Sequence, residues 1–471
     1  MEQRIKRLIK RNKVYNHVHS KFVNWITYIS LPDKPHIRVL ELYPGNWNDP
    51  IECELNHVSL SDTTAKYEAL SYTWGDATER RNIRCNTFLV DVTQNLFSAL
   101  QHLRHEVCSG DLWETRNLWI DAICINQQDV DERECQILLM GAIYQQAQCQ
   151  ILWLGPNDEE SELVNAFDYI CRYAVRETQE RGHSVFYIHG TETRWYHTYE
   201  RHQLAYKMPP ATAHALRQLF SCTVFQRGWV IQETALSPSA SVKWGNSSIR
   251  LGWFSEAAIY LFMYWKSTFA ESTEALGGLN GFNNMRLILK DQQDPQHSFL
   301  DLLDRSRDFQ FTDSRDRVYA LLGLKASDRH CKDGVSDDMM PFVEPDYTFS
   351  KLECYRSVAE EYLINRQETQ ILSAVQHNRT IDKKWPSWIP DWDIRITRDL
   401  KPNGRRTAGR SHDFKKPRGA LAGMKTHLDQ QCLSLRGFEV DRISKVTQQS
   451  AAERVLMRLH DRVNGSGKDL A

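Results

Sequence analysis

The chain lacks most of the features that would assign a chemistry at sight. None of its 11 cysteines stands in a Cys-x-x-Cys pair, and their spacings form no ladder. An odd count in 471 residues argues against a secreted disulfide scaffold, so a reducing, cytoplasmic setting is expected. Cys124, Cys149 and Cys222 sit in apolar segments, where a free thiol behaves as a small hydrophobe. No long hydrophobic run is present. The longest spans nine residues, 257–265 (AAIYLFMYW), too short to cross a bilayer. Neither sign of charge dominates, since 59 basic and 60 acidic residues leave a net charge of −1. No whole-chain field therefore favours nucleic acid, and no nucleic-acid partner is expected. No G-x-x-x-x-G-K-[ST] stretch occurs, so no P-loop nucleotide site is expected. His17 with His19, and His102 with His105, lack completing ligands, so no metal is expected. No internal repeat is visible.

What remains is an ordinary globular composition, 41% hydrophobic and 25% charged, with 14 tryptophans as large aromatic anchors. The length suggests about two or three domains. Residues 1–13 carry six basic side chains, and Val18, Phe22, Trp25 and Ile29 then recur on one helical face until Leu31-Pro32 stops it. This segment reads as a helix packed on the body with a solvated basic lead. A membrane- or partner-docking helix and a mitochondrial presequence are the alternatives.

Strand character follows in IRVLELY (37–43) and YEALSY (67–72), with a turn at Gly75-Asp76. Residues 83–85 and 88–90 flank Asn86-Thr87 as a hairpin. Leu96, Leu100 and Leu103 mark a helix. LWIDAICI (118–125) reads as one central strand, Asp129 and Glu132 as a capping-box-like helix start, and ILWL (151–154) as a further strand. Strand, helix, strand implies a parallel unit with a right-handed crossover. Residues 225–236 read as one helix. Beyond 250 the periodicity is mostly helical, over 299–308, 317–322 and 352–365. Residues 398–418 are basic with Gly and Pro, read as a mobile loop, and LSLRGFEV (433–440) returns to strand character.

Several long words stand in order. YEALSYTWGD (67–76) and LWIDAICINQ (118–127) are followed by Glu132-Arg133, Gln136, Met140, Tyr144, Ala147 and Trp153-Leu154-Gly155. RGWVIQE (227–233), DSRDRVYALLG (313–323), Asp346-Tyr347 and PSWIPDW (386–392) complete the series. These resemble the motifs of the fungal heterokaryon-incompatibility (HET) domain and the segments that follow it. On that reading the chain divides into a basic amphipathic segment (1–34), the domain itself (35–240), a mainly helical associated region (241–397), a basic mobile loop (398–425) and a short extension (426–471).

The resemblance implies an α/β fold, distantly TIR-like, with a largely parallel sheet flanked by helices and a mainly helical C-terminal region. It implies a role in nonself recognition between fungal cells and in programmed cell death, exerted through self-association or a separate sensor protein. TIR domains either assemble signalling complexes or cleave NAD. The match of RGWVIQE to the TIR tryptophan-to-glutamate segment implies Glu233 as a catalytic carboxylate in the second case. Ser71, Trp74, Gly75, Asp76 and Trp229 would then form the polar loop and aromatic wall around NAD as substrate, with no resident cofactor. A carboxylate is what an oxocarbenium-like ribose requires. The alternative for Glu233 is an ion pair with Arg227, and for Asp121 the satisfaction of buried backbone or arginine groups. Module, enzyme and shortened relic all stay open at this level.

Overall fold

The computed structural model describes residues 31, 35–62, 64–86, 88–104, 115–157, 166, 170, 208–292, 296–328, 342–366, 368–375 and 385–394, all within one compact unit. The expectations for 1–30, for most of 157–207 and for everything beyond 394, including the two basic segments and LSLRGFEV, lie outside these residues.

Nine described strands form one sheet in the order β5-β4-β2-β1-β6-β3-β7-β8-β9. They are β1 (His36–Leu42), β2 (Glu52–Ser59), β3 (Glu68–Ser71), β4 (Arg80–Cys85), β5 (Phe88–Thr93), β6 (Arg116–Trp119), β7 (Cys149–Trp153), β8 (Ala240–Trp244) and β9 (Ser247–Arg250). The three segments expected to share a parallel arrangement do so, as the contiguous run β6-β3-β7, and β8 extends it in parallel. The sheet as a whole is mixed, which corrects the largely parallel expectation. Strands β1 and β2, β1 and β6, β4 and β5, and β8 and β9 pair antiparallel. For the two hairpins, connection length is the reason. Two-residue turns join β4 to β5 and β8 to β9, whereas a parallel pair needs a crossover of about a dozen residues or more. Asn86, in the first of these turns, takes a positive φ of 49°, which asparagine tolerates well.

The helix α1 (Gln94–Leu103) starts on Thr93, whose hydroxyl accepts from the Leu96 amide, and buries Leu96, Leu100 and Leu103. The apolar word LWIDAICI is not one strand. Strand β6 ends at Trp119 and the chain turns into α2 (Asp121–Cys124). Its parallel partner β3 pairs only with Leu118 and Trp119, and the Asp121 carboxylate accepts from the next amide, Ala122, at 2.7 Å. With no ladder to continue and a local acceptor for the amide, the turn wins.

The helix α3 (Val130–Gln146) is capped by Asp129, which accepts from Glu132 N at 3.0 Å. The reciprocal half of the box is absent, because the Glu132 carboxylate is occupied by Arg38. Arg38 lies buried in β1 and binds both Glu132 oxygens, at 2.6 and 2.9 Å, and the Cys124 carbonyl at 3.1 Å. Glu132 also accepts from Asn126 N at 2.7 Å.

Beyond a helix α4 (Pro210–Ser221), the expected single helix over 225–236 divides. A 3-10 turn (Thr223–Gln226) and α5 (Trp229–Leu236) are separated by Arg227-Gly228. Gly228 N donates to Gln310 O at 3.0 Å. A Cβ at Gly228 would stand 1.8 Å from Phe311 Cζ, so only glycine fits under that ring as placed. After β9 the described elements are helical: α6 (Leu251–Tyr264), α7 (Lys266–Phe269), α8 (Thr273–Asp291), α9 (Phe299–Arg305), α10 (Asp316–Tyr319) and α11 (Lys351–Glu360). Phe220, Phe225, Phe254, Phe269 and Phe282 form their aromatic core. Helix α8 approaches α4 and the 3-10 turn closely because Gly278 and Gly281 face the carbonyls of Phe220 and Phe225. No described helix is long and apolar enough to cross a membrane.

The PSWIPDW segment straps this region. Arg307 donates to the carbonyls of Ala374, Asp391 and Ile394 at 2.7–3.0 Å, and Trp392 is fully buried.

Candidate functional site

The carboxyl ends of the parallel strands β3 and β6 carry the sequence words singled out above, and one guanidinium gathers them. The break before α5 aims Arg227 at the end of β3. Its Nη1 donates to the Tyr72 carbonyl at 2.9 Å and to Glu233 Oε1 at 3.4 Å, and its Nη2 donates to Asp121 Oδ2 at 3.0 Å. The same Asp121 oxygen accepts from the Trp74 indole at 3.2 Å. The resulting chain runs Trp74–Asp121–Arg227–Glu233. It passes from a ring that is 45% exposed to a carboxylate that is 1% exposed.

Around Glu233 the wall is buried and hydroxyl-rich. Ser71 Oγ accepts from Gln150 Nε2 at 2.7 Å, the same amide donates to Thr234 Oγ1 at 3.0 Å, and Ser71 donates to Tyr144 Oη at 3.4 Å. Burial pushes the Glu233 carboxyl above its ordinary value, and Arg227 with the Ser71 and Tyr144 hydroxyls offsets only part of that. Burial pulls Arg227 down, but Glu233 and Asp121 more than compensate and hold it charged. Burial likewise raises the Tyr72 and Tyr144 phenols, so both stay neutral.

Of the residues named from sequence, Ser71 and Glu233 meet in this seam, and Trp74 joins it through Asp121 and Arg227. Gly75 and Asp76 turn away. Gly75 has φ 77°, and Asp76 is exposed, accepting from the Thr78 amide and hydroxyl, which lowers its carboxyl. Trp229 points to the helical region, where its indole donates to Asp316 at 3.0 Å. The ion-pair alternatives for Glu233 and Asp121 are both present in the structure. Sequence reasoning did not identify Tyr72, Gln150 and Thr234 as parts of the seam. Gln150 carried a signal, a polar side chain inside the apolar strand word around ILWL.

The family model described as heterokaryon incompatibility protein (HET) matches residues 67–233, from the last residue before β3 to the carboxylate at the end of the seam. Over these residues the chain matches the HET domain. A curated relative, heterokaryon incompatibility protein 6, OR allele, of Neurospora crassa, is 26% identical over 422 residues, covering 77% of this chain. The chain spans 58% of that relative's length. No solved structure matches. Ser71, Trp74, Asp121, Arg227 and Glu233 all fall inside the matched HET segment.

The buried charge gives the HET domain a pH signature. Because the native Glu233 value is raised above 4.5, the unfolded chain ionises first as pH rises. The native state then holds the extra proton, and stability falls with rising pH from that point until the raised value is passed. Glu233→Gln is expected to remove this component, so the stability of the variant relative to wild type should increase as pH rises above about 4.5. Urea midpoints at a series of pH values check it. A difference that is flat with pH would mean Glu233 titrates alike in both states.

Proposed function

We propose that the chain acts in fungal heterokaryon incompatibility, in nonself recognition and the programmed cell death associated with it, as a signalling module. It would work by self-association or by meeting a separate sensor protein. The enclosure of Glu233 carries this reading. Its carboxylate sits behind Arg227 and Asp121, and it acts as the counter-charge of a structural clamp. A catalytic carboxylate for NAD cleavage must reach the ribose of a bound dinucleotide, and here the guanidinium occupies the side of Glu233 that leads to Trp74.

The second reading, a TIR-like NAD glycohydrolase switched on by clustering, is supported by one observation. Glu233 Oε2 is buried outside the contact with Arg227 and beside the Ser71 and Tyr144 hydroxyls, a place a ligand hydroxyl could take if Arg227 swings aside. One experiment separates the two readings. Purified protein is clustered artificially and NAD loss is followed for wild type and Glu233→Gln. The module reading expects no NAD loss from either. The enzyme reading expects loss from wild type and a drop on the order of 10²-fold or more in the variant. In parallel, induced expression in a filamentous fungus should arrest growth with wild type and Glu233→Gln alike if clustering alone is the signal. Arrest that vanishes with the substitution, while the protein still accumulates, would overturn the module reading.

A further inference from the structure

Outside this seam, two nucleophilic side chains stand in register across a short ladder of the sheet. Strands β2 and β4 pair in parallel through only two registered positions, Glu52 with Arg84 and Cys53 with Cys85. Registered residues of parallel neighbours project to the same face, and neighbouring strands lie about 4.8 Å apart. That separation falls inside the Cα range a disulfide accepts. Both thiols are free, they are 3% and 0% exposed, and the Cys53 thiol donates to the Arg84 carbonyl, next to Cys85, at 3.6 Å. Among the described residues no group of three or more His, Cys, Asp or Glu side chains is arranged to hold a metal ion. The pair is therefore read as a dithiol.

We propose that Cys53 and Cys85 are a redox modification site, oxidised by a peroxide to a disulfide that pins the β4–β5 hairpin to the sheet. The Cys85 sulfur attacks one peroxide oxygen, the O–O bond breaks, and with a proton the leaving oxygen departs as water, giving a sulfenic acid. The Cys53 thiol then displaces the sulfenic oxygen, which takes up the protons and leaves as a second water. Two thiols and one hydrogen peroxide give one disulfide and two waters. Each sulfur loses one electron, and the peroxide gains two. The neighbouring Cys53 lowers the Cys85 thiol, consistent with Cys85 as the attacking sulfur.

Position gives the step its access and its consequence. β5 is one of the two outermost strands, so the hairpin lies at an edge of the sheet, which opens more readily than its centre. It leads straight into α1, where Asn95 donates to the Thr73 carbonyl at 2.6 Å and accepts from the Trp153 indole at 3.0 Å. A hairpin locked to β2 therefore steadies the loop that carries Trp74.

The test uses the full chain, folded and reduced, treated with hydrogen peroxide, alkylated after denaturation and digested. The expected product is a peptide pair linked through Cys53 and Cys85, about 2 Da lighter than the two thiol peptides and released by dithiothreitol. Cys53→Ser and Cys85→Ser should each abolish it, and Cys124→Ser should leave it. The oxidised protein should unfold about 5 °C higher than the reduced form, since the bond closes a loop of the 53–85 segment. Met263, which is exposed, reports that oxidant was effective. Two free thiols at 53 and 85 in a sample whose Met263 is fully oxidised would overturn the proposal. So would a linkage of either cysteine to Cys124. The result is independent of NAD loss, so it stands or falls apart from the reading of Glu233.

Discussion

Gly278→Ala is expected to destabilise the protein by about 3 kcal/mol or more, although alanine is the better helix former. In an exposed helix the same change stabilises by about 1 kcal/mol. The sign reverses here because a Cβ at Gly278 would stand 1.8 Å from the Phe220 carbonyl oxygen. That oxygen belongs to the backbone of α4 and cannot rotate away. Helix α8 would have to move off α4, opening the cluster of Phe220, Phe254 and Phe282. The neighbouring Gly277 supplies the control. A Cβ there would meet only the Gln226 side-chain amide at 3.2 Å. Gln226 can swing, so Gly277→Ala is expected to stay within about 1 kcal/mol of wild type. Urea midpoints of the two variants measure the contrast. Equal midpoints would mean that α8 does not seat against the α4 carbonyl.

Arg38→Met should cost about 3–5 kcal/mol, the range for removing one partner of a buried ion pair. Methionine restores much of the volume but none of the three hydrogen bonds that Arg38 makes to Glu132 and Cys124 O. Glu132 is then a nearly enclosed charge with the Asn126 amide as its remaining donor. Adding Glu132→Gln removes the stranded charge and keeps an acceptor for Asn126, so the double variant should be more stable than Arg38→Met alone. The coupling energy from the four proteins reports the pair itself. A double variant that is less stable than the single one would show that Glu132 is not harmed by losing Arg38.

The sequence made some parts of this fold legible and concealed others for definite reasons. Apolar words with strand spacing at 67–72 and 151–154 located the parallel centre, because a strand buried on both faces must be apolar throughout. The helix at 94–103 followed from Leu96, Leu100 and Leu103. The antiparallel flanks were less legible, since β2 (ECELNHVS) is mostly polar and its composition does not reveal its partners. The word LWIDAICI misled because apolarity does not distinguish a strand from a buried turn, and what ends the strand is a ladder that stops at Trp119, which no local composition shows. The site was legible as words and not as wiring. Glu233 and Ser71 could be named, and Arg227 as an ion-pair partner of Glu233, but that the same guanidinium also holds Asp121 and the Tyr72 carbonyl is visible only once the break before α5 places it.

The sheet order has a consequence for what counts as an inheritable unit. The family match begins at residue 67 and ends at residue 233. Strand β1 pairs along one edge of β6, and β8 covers the outer edge of β7, yet both strands lie outside that interval. So does Arg38, the counter-charge of Glu132. A chain cut to 67–233 would leave two open edges on its parallel centre and a carboxylate without its arginine. The matched segment therefore leaves out two strands that complete its own sheet. Transplanting the motif region between proteins should carry function only when the flanking strands travel with it.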